Sequence, residues 1–218
     1  YITIKQIQKY RRMHDVIIKR EAKAKLPTKF GDFDIYGYKN IINGEHHIAL
    51  VMGDVKGENV LCRIHSECLT GDVFGSKRCD CGQQLETALE RIGAEGRGVL
   101  VYMRQEGRGI GLINKLKAYE LQQQGYDTVE ANIHLGFEPD LRDYAETAQI
   151  LKDLGVESIC ILTNNPHKIG NIGDYGISVA DRVAIQVEEN DEDIKYLLTK
   201  KNKMGHLFTY EDVKKTLI

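Results

Sequence analysis

The sequence predicts a mixed α/β fold: a mixed β-sheet with an antiparallel front half, flanked by helices. Three observations carry this. Short β-like runs at 33–38, 47–52 and 60–65 follow one another, separated by turn signals at Asn43-Gly44 and Lys56-Gly57. Two continuous apolar runs, 98–103 and 158–162, read as buried strands. Helical patterns interleave with them at 82–92, at 112–124 ahead of Gly125, and at 142–154 ahead of Gly155.

Taken in order, residues 3–25 are highly charged, with Ile7, Tyr10, Ile17 and Ile18 at near-helical spacing. They read as a helix with one thin apolar stripe, ended by Pro27. Residues 1–27 are therefore expected to form a helical connector, and a chain that starts at Tyr1 is expected to be part of a longer one. The three front runs read as antiparallel strands. In the helix at 82–92, Leu85, Ala88, Leu89 and Ile92 share one face. In the helix at 112–124, Leu112, Leu116 and Tyr119 share a face expected to pack on the sheet. No internal repeat or low-complexity tract interrupts the chain.

The chain has 218 residues, of which 42% are hydrophobic, so it can bury a substantial core. A formal charge of −2 argues against a general nucleic-acid binder, which would carry a basic excess. No apolar run reaches membrane-spanning length, and no signal peptide is visible. The 5 cysteines fit a reducing compartment better than a disulfide framework. Cys62 and Cys160 lie in apolar stretches and read as small buried hydrophobes.

The other three cysteines, Cys68, Cys79 and Cys81, are clustered as C-x10-C-x-C. Three thiolates from one segment can converge on zinc and leave the fourth tetrahedral position to water, the pattern of a catalytic site. His65, just upstream, is a possible fourth ligand that would make the site structural, and a cluster that holds no metal is the third reading. Strand alternation places Arg63 and His65 on one face, opposite Cys62 and Ile64. The segment RQEGRGIGL at 104–112 follows a buried strand and opens a helix. Its glycines, helix N-terminus and two arginines suit a phosphate, although a tight strand–helix turn explains it as well. Asp140 and Arg142 stand two residues apart before a helix, where Asp140 can also be a simple cap. TNNP at 163–166 follows the second buried strand, at the end where ligands sit in α/β sheets, or is only a turn.

Together these segments resemble GTP cyclohydrolase II. The matching strings are RIHSECLTGDVFGSKRCDCG at 63–82, RQEGRGIGL at 104–112, GYDTVEAN at 125–132, residues 136–142, TNNP at 163–166 and KMGHL at 203–207. The likeness covers 28–207, which it implies is the catalytic domain, with 208–218 as a tail. Residues 2–27 resemble the end of a dihydroxybutanone-phosphate synthase, so fusion to such an upstream domain is implied.

The resemblance implies a riboflavin-pathway hydrolase that opens the guanine imidazole ring of GTP. It would release formate and pyrophosphate and leave a diamino-phosphoribosylamino-pyrimidinone. It implies Cys68, Cys79 and Cys81 as ligands of one zinc ion. It implies GTP contacts from Arg63, Ile64, His65, Ser66, Glu67, Gln84, Glu106, Gly107, Arg108, Thr128, Thr163 and Lys168, and a catalytic set of Tyr119, Asp140 and Arg142. Mg²⁺ carried by the triphosphate, a homodimer and a cytoplasmic location are implied as well. As a nucleophile Arg142 is chemically awkward, because a protonated guanidinium has no lone pair; a role as phosphate clamp stays open. Two other classes remain: a non-catalytic zinc-stabilised nucleotide module, and a zinc nucleobase deaminase. His65-Ser66-Glu67 matches the deaminase H-x-E, but the P-C-x-x-C half is missing.

Overall fold

The computed structural model describes residues 1–185, 187 and 193–207. Helix α1 (Ile4–His14) opens with a capping box, Thr3 and Gln6 exchanging backbone-to-side-chain hydrogen bonds of 3.2 and 2.8 Å. The chain then enters β1 (Ile18–Thr28), β2 (Gly31–Asn40), β3 (His46–Met52) and β4 (Val60–Ser66). Two helices follow, the one-turn α2 (Leu69–Asp72) and α3 (Cys81–Glu95), and then β5 (Gly98–Met103). A 3-10 turn (Glu106–Gly109) leads to α4 (Leu112–Gln123), α5 (Thr128–His134) and α6 (Ala145–Asp153). The remaining elements are β6 (Ser158–Leu162), α7 (Pro166–Asp174), β7 (Ser178–Val183) and α8 (Ile194–Met204).

Among the described residues the strands form one seven-stranded sheet in the order β1-β2-β3-β5-β4-β6-β7. The front pairs β1–β2, β2–β3 and β3–β5 are antiparallel, while β4–β5, β4–β6 and β6–β7 are parallel. The mixed sheet with an antiparallel front is as the sequence predicts. Two local expectations are corrected. The helix expected over 3–25 ends at His14, and residues from Ile18 onward form edge strand β1, paired with β2 from Ile18↔Asn40 to Thr28↔Gly31. An edge strand exposed on both faces leaves no alternation to read, so its charges look helical. Pro27 lies inside that strand, at the edge where a missing N–H is tolerated. The third front run, β4, is parallel to its neighbours because β5 inserts between it and β3.

The two faces of the sheet are both covered. Ile64, Val101, Ile150, Leu151, Ile159 and Ile172 belong to one cluster, which joins the sheet to α6 and α7. Phe33, Ala88, Leu89, Ile92, Leu100 and Leu162 form the other, beneath α3. Burial on both faces is why β5 and β6 read as unbroken apolar runs. Cys62 is fully buried as expected, whereas Cys160 is only half-buried. The expected tail at 208–218 lies outside the described residues. No described helix is long and apolar enough to cross a membrane. The carboxyl ends of β4, β5 and β6 open on the same side, and the segments that carry the chemistry leave from them.

Candidate active site

β4 delivers its last residue to the mouth of the sheet, and Cys68 begins the turn into α2. After a loop the chain returns with Cys79, Asp80 and Cys81 at the start of α3. The one-turn α2 and the start of α3 meet through glycines. A Cβ on Gly71 would sit 3.1 Å from Cys79 Sγ and 3.2 Å from Cys68 Sγ, and one on Gly82 would collide with the Gly71 carbonyl. This close approach gathers the three sulfurs within 4.8 Å of one another, in a group that can hold a metal ion. Cys68 Sγ lies 3.6 Å from Cys79 Sγ, far beyond a disulfide bond.

The donor set fits a soft, thiolate-preferring ion such as zinc. Lys115 Nζ, 3.1 Å from Cys68 Sγ, offsets thiolate charge. Hydrogen bonding from Cys79 and Cys81, with help from Lys115, holds the Cys68 thiol far below its ordinary range. The Cys79 thiol is pushed up to about 11, first by its bond to Cys68. A metal bound here would take the sulfurs as thiolates.

His65 is not part of the sulfur group. Its Nε2 lies 3.0 and 3.1 Å from the two Asp72 oxygens, and its ring stacks on Tyr102 at 5.5 Å. Asp72 also accepts from the Tyr102 hydroxyl (2.7 Å) and the Cys68 N–H (2.9 Å). Burial lowers the His65 pKa, so a neutral ring donates Nε2–H to Asp72, while Nδ1 is buried with no partner.

The segment after β5 satisfies much of its own backbone, as the tight-turn reading has it. The N–H groups of Gly107, Gly109, Ile110 and Gly111 bond to Glu106 or Gln105, within the loop. What the loop offers an anion is the Arg108 side chain. Arg108 is held at φ +63°, a left-handed conformation uncommon for a side-chain-bearing residue and frequent at functional sites. Glu106 is buried and accepts from Leu69 N–H (2.7 Å), Gly107 N–H (2.8 Å) and Lys115 Nζ (2.8 Å). It ties the loop to α2 and α4.

Tyr119 is half-buried, not packed on the sheet, and its hydroxyl lies 3.1 Å from Thr70 Oγ1. The buried face of α4 consists of Lys115 and Ala118, while Leu116 is 42% exposed. The expected apolar stripe on this helix is therefore corrected. Helices α2 and α4, rather than the sheet, flank the Tyr119 ring, and the Arg78 guanidinium stands 5.0 Å over it.

At the opposite wall Arg63 donates to Leu162 O (2.8 Å) and Gln84 Oε1 (2.5 Å), leaving Nε buried and unpartnered. Lys168 is buried and donates to Ile64 O (2.9 Å). Burial, with Arg63, Arg142 and Lys200 nearby, holds its pKa well below the usual lysine range. Asn165 caps α7 by accepting from His167 N–H (2.9 Å), so TNNP is a helix start. Arg142 donates to Asp140 through Nε (2.9 Å) and Nη2 (2.5 Å). Because α6 begins at Ala145, Asp140 does not cap it.

One cavity is lined by all three cysteines and by Arg63, His65, Ser66, Glu67, Gln84, Glu106, Gly107, Arg108, Tyr119, Thr128, Arg142, Thr163 and Lys168. Two expected residues stand apart. Ile64 points into the core and contributes only its carbonyl, and Asp140 reaches the cavity only through Arg142. Sequence reasoning missed Asp72, Lys115, Thr70, Arg78 and the α8 residues Tyr196 and Lys200. Thr70, Asp72 and Arg78 lie inside the matching string at 63–82, and the KMGHL string overlaps the end of α8, whereas Lys115 carried no such signal.

A thiol cluster that could hold a metal ion thus opens into a cavity lined by arginine and lysine, a combination suited to an enzyme. The family model for GTP cyclohydrolase II matches residues 19–184, and the chain belongs to that family of enzymes. It is 60% identical over 211 residues to the riboflavin biosynthesis protein RibBA of Bacillus subtilis, covering 96% of this chain and 53% of that protein. With RibBA of Bacillus cereus it shares 59% over 207 residues, 94% of this chain and 52% of the relative. The chain thus spans about half the length of the curated relatives it matches. A solved structure of RibBX, a two-domain 3,4-dihydroxy-2-butanone 4-phosphate synthase from A. baumannii, superposes with a TM-score of 0.52 at 24% identity. It covers 84% of this chain and 45% of that one, a likeness of fold alone.

Proposed function

We propose that the chain hydrolyses GTP at guanine C8, opening the imidazole ring and releasing formate and pyrophosphate, as the entry step of riboflavin biosynthesis. The observation that carries this is the convergence of Cys68, Cys79 and Cys81 at the wall of a cation-lined cavity. Zinc held by those thiolates would supply a Lewis acid and a water of near-neutral pKa.

The chain's own groups account for the rest. Gln84, held by Arg63, presents an amide suited to the guanine edge. The Tyr119 hydroxyl, aligned by Thr70, gives a proton to the nitrogen that leaves C8. Arg108, Lys168 and Arg142 face the triphosphate, which brings Mg²⁺ with it. Arg142 acts as a clamp. Burial alone would lower its pKa, but Tyr144 and the Asp140 ion pair raise it further, so the guanidinium stays charged and lacks a lone pair. The length of the RibBA relatives supports an upstream dihydroxybutanone-phosphate synthase domain in the same polypeptide.

Product analysis tests this reading. GTP incubated with the protein and Mg²⁺ should yield formate and pyrophosphate. Ammonia without formate would identify a deaminase, and nucleotide binding without products would identify a non-catalytic module. His65→Ala is expected to retain one zinc per chain, because neither ring nitrogen of His65 lies within the group of atoms that could hold the metal. Loss of zinc from that variant, measured by elemental analysis, would make His65 a fourth ligand and the site structural.

A further inference from the structure

Helix α8 lies wholly beyond the stretch matched by the family model, yet it forms part of the cavity wall through Tyr196, Lys200 and Met204. Three anchors hold it there. Lys203 pairs with Glu130 at 2.9 Å and with Asp127, the cap of α5. The Leu207 N–H donates to Asn164 O at 2.8 Å, joining the KMGHL segment to the end of β6. The third anchor reaches the chemistry: Lys200 Nζ lies 2.6 Å from Asp80 Oδ1, with the two side chains 10% and 1% exposed.

Asp80 stands between two cluster cysteines. Its other oxygen accepts from Gln84 Nε2 at 2.5 Å, and Gln84 Oε1 accepts from Arg63 at 2.5 Å. Gln84 is therefore gripped at both ends, which fixes which way its amide faces. The grip depends on a carboxylate that is almost fully buried. Stripping one partner from a buried ion pair is strongly disruptive, so the position of this carboxylate depends on the group that pairs with it. Lys200 is the cation in hydrogen-bond contact with it.

We infer that Lys200 is a positioning residue for nucleotide binding, acting through Asp80 on Gln84, so that α8 completes the pocket. This rests on the reading of the cavity as a GTP site. Losing a hydrogen bond to a charged group is worth about tenfold to a hundredfold in affinity.

The test compares Lys200→Met, Lys200→Arg and, as a control that removes a different anchor of α8, Lys203→Met. In substrate-free protein, the NMR signals of the Gln84 side-chain amide are assigned by their loss in Gln84→Ala. They should move in Lys200→Met, return in Lys200→Arg, and stay in place in Lys203→Met. With GTP, Lys200→Met should raise KM about tenfold or more while retaining zinc. The same change in a Gln84→Ala background should add little, since coupled residues are not additive. Unmoved Gln84 signals, equal effects from Lys203→Met, or full additivity with Gln84→Ala would overturn the inference and reduce Lys200 to a staple of α8. A wild-type protein that turns over no GTP overturns the function reading instead, and the NMR comparison still judges Lys200.

Discussion

Cys79→Ser is expected to lose bound zinc and to abolish formate release from GTP. Cys79 Sγ is 3.6 Å from Cys68 Sγ, and the cluster has three sulfurs, so one substitution leaves two protein ligands. Two ligands are fewer than zinc takes from protein in either catalytic or structural sites. The Lys115 ammonium would then face a thiol pair with no ion to share. Pyrophosphate release is expected to persist in part. The groups assigned to the phosphates, Arg108, Arg142 and Lys168, stand on other elements than the cysteines, and Arg142 is fixed by Asp140 at 2.5 Å. Elemental analysis and separate assays of the two products check this. Full zinc retention in Cys68→Ser, Cys79→Ser and Cys81→Ser would sink the metal assignment. Equal loss of both products while GTP still binds would show that the two ends of the site work as one.

Tyr119→Phe is expected to slow formate release by roughly a hundredfold or more, typical of removing a general acid–base group. The ring is half-buried and meets the Arg78 guanidinium at 5.0 Å, and phenylalanine keeps that surface. What disappears is the hydroxyl, 3.1 Å from Thr70 Oγ1. Thermal stability and KM for GTP should therefore change little, with the loss confined to kcat. Near-normal turnover would return Tyr119 to a packing role.

The parts of this molecule that were legible in the sequence are those where one physical constraint acts alone. β5 and β6 are buried on both faces, so an unbroken apolar run defined them to the residue. The cysteines stood out because few other arrangements of three close thiols are useful. β1 was misread because an exposed edge strand carries no alternation. β4 was placed antiparallel because strand order within a sheet depends on β5 inserting from some forty residues away, which no local pattern records.

In the site, many residues that line the cavity were named from the resemblance, while those that hold them were not. Asp72 collects His65, Tyr102 and the Cys68 N–H, and Lys115 bridges Glu106 and Cys68. Neither belongs to a spacing rule, because, apart from the local bond of Asp72 to the Cys68 N–H, each bond crosses between elements. Lys115 was passed over for a stronger pattern on its own helix, Leu112, Leu116 and Tyr119, which the fold does not use as a core face.

The most direct measurement is zinc titration into metal-stripped protein, with formate release from GTP as the readout. The account predicts no formate from the stripped protein, a linear rise as zinc is added, and a plateau at one zinc per chain. Formate release at the full rate after stripping, with the thiols shown to be metal-free, would contradict it.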